Sequence, residues 1–185
     1  MSTKREFFNW QSWQQMTKEE YELLIKAEEF EEKYFQDFTL KLYNEIVPDK
    51  VIGKIDNISS WEFRIVKENN EFVGRCNGPD KIIEIVQNDD IENILLHEMI
   101  HAYEYILLEY PFYHQYVLLK LYEKILSKIP NLIKIIEADK NRYTIEHTPL
   151  SLLKSFDIDL ELGLPVGTIY SYGREEIYKE LQYIK

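Results

Sequence analysis

Residues Ile91 to Leu108 constrain this chain more than any other stretch: an apolar run with two histidines and a glutamate in its middle. Ile91, Ile94, Leu95, Leu96, Met99, Ile100, Ala102, Tyr103, Ile106 and Leu107 leave almost no polar face when wound at about 3.6 residues per turn. A helix that is apolar nearly all round belongs inside a domain. Asn88-Asp89-Asp90 precedes the run, and Asp89 with Glu92 has the form of an N-terminal capping box. Within such a helix His97, Glu98 and His101 are desolvated polar groups, each costing roughly a few kcal/mol unless paired. They need partners that the helix itself does not supply.

His97-Glu98-Met99-Ile100-His101 spells H-E-x-x-H. Histidines at i and i+4 leave one face of a helix and can share a Zn²⁺, with Glu98 beside them to take a proton from water. This is the signature of zinc peptidases. The competing reading is a pair of core histidines bonded to backbone or tyrosine. Histidine is scarce, four in 185 residues, and metal ligation accounts for both histidines and the glutamate together.

Catalytic zinc takes three protein ligands and keeps one position open. His114 is the leading candidate for the third. It follows Pro111, which suits the first turn of a helix from Phe112 to about Lys128, joined to the motif helix by a short connection. His147, in Thr144-Ile145-Glu146-His147-Thr148-Pro149, is an alternative as ligand, as donor to a transition-state oxyanion, or as a surface residue. Glu104, Glu109 and Glu123 are the acidic alternatives. Tyr170 and Tyr172 can line a cleft or stabilise an oxyanion; the simpler reading places them at a core boundary.

Leu95-Leu96-His97-Glu98-Met99-Ile100-His101-Ala102-Tyr103 resembles the active-site helix of the SprT-like metallopeptidases, which include the DNA–protein crosslink protease Spartan. The resemblance implies a third zinc histidine a little over a dozen residues beyond the second, a place that His114 fits. The family's usual H-G-P-x-F is absent, and the segment here reads His114-Gln115-Tyr116-Val117-Leu118. The resemblance covers residues 20–125 and implies N-terminal helices followed by a small sheet leading into the zinc helix. Thr17-Lys18-Glu19-Glu20 has capping-box form and opens an amphipathic run reaching about Ile46, broken by Pro48 and Gly53. Strands are expected over Trp61 to Val66, Phe72 to Cys76 and Ile82 to Val86, with turns at Asn69-Asn70 and Asn77-Gly78-Pro79-Asp80. By analogy the last strand is the edge that pairs with an extended substrate.

The expected fold is thus α+β: a zincin-like domain with N-terminal helices, a three-stranded sheet and an H-E-x-x-H helix. It occupies residues 18–185 behind an N-terminal segment, 1–17, whose Phe7, Phe8, Trp10 and Trp13 either dock on the domain or bind a partner. Beyond Lys128, short helices are expected over Asn131 to Lys140 and Thr148-Pro149 to Ser155. A loop at Leu162 to Gly167 then leads to a last helix near Glu175 to Tyr183.

The expected activity is a Zn²⁺-dependent endopeptidase acting on a protein or peptide. The alternatives are a regulatory binding module on the same scaffold and a zinc amidohydrolase of non-peptide amides. DNA association is implied only by the resemblance: twenty-two basic against thirty-three acidic residues give a net charge of −11, without the basic cluster that phosphate binding needs. Cys76 is the only cysteine, so neither a zinc ribbon nor a disulfide framework can be built, and it reads as a small core residue. That single cysteine, with no signal-peptide core and no apolar run of about 20 residues, points to an intracellular, cytoplasmic protein without a membrane span.

Overall fold

The computed structural model describes residues 16–36, 38, 58–69, 71–139 and 147–171. The N-terminal aromatic residues, the expected breaks at Pro48 and Gly53, Tyr172 and the expected last helix lie outside them. The described residues form an α+β fold of helices around a small mixed sheet. Helix α1 (Lys18–Tyr34) opens with the expected capping box: the Thr17 side chain accepts the Glu20 amide and the Glu20 carboxylate accepts the Thr17 amide. It ends at Tyr34, and residues 39–46 of the expected run lie outside the described residues. Tyr34 and Phe35 are both buried although neighbours on a helix lie about 100° apart. Leaving the helix at Phe35 (φ −114°, ψ 17°) lets both rings reach the core.

A 3₁₀ turn at Ile58–Ser60 leads into β1 (Glu62–Val66), followed by β2 (Gly74–Asn77) and β3 (Ile82–Val86). The strand order is β1-β3-β2, with β3 parallel to β1 and antiparallel to β2. Strand β3 is therefore central, which corrects the expectation that Ile82–Val86 forms the substrate-pairing edge. The reason is composition. Ile82-Ile83-Glu84-Ile85-Val86 buries Ile83 and Ile85 completely and suits a strand paired on both sides. Gly74-Arg75-Cys76-Asn77 is short and polar, as edge strands are.

Helix α2 (Ile91–Leu107) carries the motif and is buried along most of its length. Its start differs from the expected capping box: Asp90 is the N-cap and makes no side-chain bond to the helix backbone. Asn88 Oδ1 instead accepts the Asp90 amide at 2.7 Å, a turn bond that competes with the cap. One face of α2 packs on β2 and β3, another on α1. Across that second contact the Tyr103 hydroxyl donates to Glu31, and its ring stacks on Phe35 at 4.9 Å. Glu31 also accepts the Ile58 amide at 3.0 Å, tying α1, α2 and the approach to β1 together.

Helix α3 (Pro111–Leu126) buries Tyr113, Val117, Leu121 and Ile125 and packs on α5 more than on α2. Helix α4 is described over Leu132–Asp139. Helix α5 (Pro149–Leu162) begins at Thr148, whose hydroxyl accepts from Leu150 and Ser151, and runs well past Ser155. Its later turns bury two aspartates. Asp157 is buried against Lys124 at 2.6 Å, while Asp159 has no exposed surface. Gly163 ends the helix in the left-handed region (φ 70°), where other residues are strained. A turn then enters helix α6, described over Thr168–Ser171. Among the described residues no helix is long and apolar enough to cross a membrane.

Candidate metal centre

The i, i+4 spacing on α2 brings His97 and His101 side by side, with Nε2 atoms 2.9 Å apart. The third member of the cluster is His147, from the residue before the N-cap of α5. Its Nε2 lies 3.4 Å from that of His97, and the ligand atoms of all three histidines fall within 4.8 Å of one another. The rings cross at 76°, 62° and 64°, so nitrogens rather than ring faces converge.

The outer nitrogens explain why. His97 Nδ1 lies 2.8 Å from the Ile169 carbonyl oxygen, which can only accept, so this nitrogen carries the proton and Nε2 keeps a lone pair. His101 Nδ1 lies 3.5 Å from Glu104, a carboxylate that also accepts the Thr148 hydroxyl. This favours the same tautomer. Two such lone pairs facing each other at 2.9 Å repel unless a cation lies between them. Burial, the neighbouring His101 and the more distant His147 hold His97 well below the usual histidine range, against the pull of the Ile169 carbonyl; its neutral form is the one that ligates. Zn–N bonds of about 2.0–2.1 Å imply a tetrahedral N–N separation of about 3.3 Å, close to what these residues offer. The three histidines can hold a metal ion.

Glu98 is almost wholly buried on the same helix. Its carboxylate lies against β2: a Cβ added at Gly74 would stand 2.6 Å from Glu98 Oε1 and 2.5 Å from Ile94 Cγ2. Only glycine lets the strand approach so closely. Gly74→Ala is expected to displace Glu98 and destabilise the fold by about 1–3 kcal/mol, the usual penalty of overpacking. Thermal unfolding and activity measured on the same preparation check this, and no change in either would show that the helix and strand can part freely.

Cys76, also on β2, is partly buried against the core. Burial pushes its thiol well up, and the Glu98 and Glu104 charges add to the shift.

His114 does not join the cluster. The core-facing row of α3 is Tyr113, Val117, Leu121 and Ile125, and half-buried His114 follows Tyr113 in the first turn of a helix that docks on α5 more than on α2. Among the acidic alternatives, Glu104 supports His101 from outside the cluster, Glu109 is exposed, and Glu123 pairs with Lys120 on the surface at 3.0 Å. Tyr170 is brought to the site, its ring centroid 5.5 Å from that of His147. The backbone of Ile169 was missed by sequence reasoning, since a carbonyl ligand to a histidine leaves no mark in side-chain identity. Comparison with family models, with curated proteins and with solved structures finds no match.

Proposed function

We propose that the chain is a zinc-dependent peptidase in which His97, His101 and His147 hold the metal and Glu98 is the general base. The observation that carries this reading is the convergence of three Nε2 atoms on one point, two of them with outer nitrogens turned to acceptors. Bound Zn²⁺ would supply Lewis acidity to the scissile carbonyl and acidify the attacking water. Glu98 accepts the proton of that water and returns it to the leaving amine. The low exposure around Glu98 keeps bulk water from competing for that proton. Tyr170, whose ring lies beside that of His147, is read as the donor to the developing oxyanion.

Substrate is read as adding along β2, an edge strand that passes directly beside Glu98 at Gly74. The order of helix, three strands and motif helix supports kinship with the SprT-like peptidases. The third histidine departs from that pattern, because α3 and α4 intervene before His147. Purified protein is expected to carry one zinc and to cut an unfolded protein substrate, losing both with a chelator and recovering both with Zn²⁺. Zinc retained without any cleavage would turn the reading toward a binding module on the same scaffold.

A further inference from the structure

One helix buttresses all three histidines. His147 adjoins the N-cap of α5, and Thr148 at that cap donates to Glu104, which faces His101 Nδ1. The third link runs through Asp159, about three turns further along the α5 core face. Its Oδ1 accepts the Ile169 amide at 3.0 Å and its Oδ2 accepts the Gly167 amide at 2.7 Å. Ile169 in turn presents its carbonyl to His97 Nδ1 at 2.8 Å.

We infer that Asp159 is a positioning residue for the metal centre, setting the tautomer and ring orientation of His97 through the backbone of residues 167–169. This rests on the metal-site part of the reading above and not on peptidase activity. A carboxylate with no exposed surface accepts the amides of Gly167 and Ile169 and so fixes the backbone that carries the carbonyl. Burying an anion is costly, and a cost accepted for loop anchoring alone would not require the anchored carbonyl to end on a histidine. Loss of such an outer partner weakens metal binding by roughly 10- to 100-fold in comparable sites.

The test compares Asp159→Asn with Asp157→Asn, a buried aspartate on the same helix whose partners are Lys124 and Lys154. Zinc affinity is measured by chelator competition, and the His97 tautomer by long-range ¹⁵N–¹H correlation in metal-free protein. Asp159→Asn is expected to weaken zinc by about 10- to 100-fold and to mix the His97 tautomers. Asp157→Asn is expected to leave both unchanged even if it lowers the melting temperature. Unchanged affinity and a single tautomer in Asp159→Asn overturn the inference, as does an equal loss in Asp157→Asn. If Asp159→Asn fails to fold, an amide-to-ester replacement at Ile169 removes only the N–H that Asp159 Oδ1 accepts; wild-type behaviour there overturns it equally. Should wild-type protein bind no zinc, the metal reading falls, and the tautomer comparison still decides the role of Asp159.

Discussion

Glu98→Gln is expected to keep zinc and the fold while lowering the rate of peptide cleavage by at least about 100-fold, the lower end of what general acid–base catalysis contributes. Glutamine has the same volume and shape, so the close packing of residue 98 against Gly74 and Ile94 survives the change. What it lacks is the ability to take a proton from water. Steady-state cleavage together with metal analysis separates the two effects. Parent-like turnover would remove Glu98 from the mechanism, whereas loss of zinc would reassign it to holding the site. A fall in kcat with KM little changed is the expected pattern, because the proton moves only in the transition state.

The second large effect concerns the third ligand. His147→Ala is expected to abolish stoichiometric zinc binding, and His114→Ala to leave it intact. Removing a direct ligand should cost more than the roughly 10- to 100-fold associated with an outer partner. The cavity left by His147 lies at the mouth of α5, where Thr148 and Ser151 cap the helix without it, so the fold should persist. Metal content after dialysis and a circular dichroism spectrum decide the matter. The opposite outcome, zinc lost with His114 and kept without His147, would mean that α3 is turned differently in solution.

Much of the scaffold can be read from residue order because its causes are local. The capping box of α1, the strand β3, the proline at the start of α3 and the threonine cap of α5 each depend on a few neighbouring residues. Where reading failed, a distant contact had intervened. α1 ends early because Phe35 finds Tyr103 across the core, and α5 runs long because Lys124 and the turn at 167–169 neutralise its buried aspartates. The order of strands was hidden for a similar reason. Three successive strands pair equally well in several orders until burial on both sides selects the most apolar one for the centre.

The metal pair shows the same division. His97, Glu98 and His101 belong together by helical geometry alone, since a spacing of four residues places two side chains on one face wherever the helix lies. That much was settled by the sequence, as was the buried setting that makes those residues costly without partners. The third histidine had no such local rule. His114 was near in the chain, but near residues on separate helices meet only if the intervening turn directs them together, and here α3 docks on α5 more than on α2 and His114 stays outside the cluster. His147 arrives by way of α5, and the acceptors behind His97 and His101 arrive with the same helix. Tertiary packing decided these because convergence of groups distant in sequence is a property of how helices dock, set by summed burial over the whole interface.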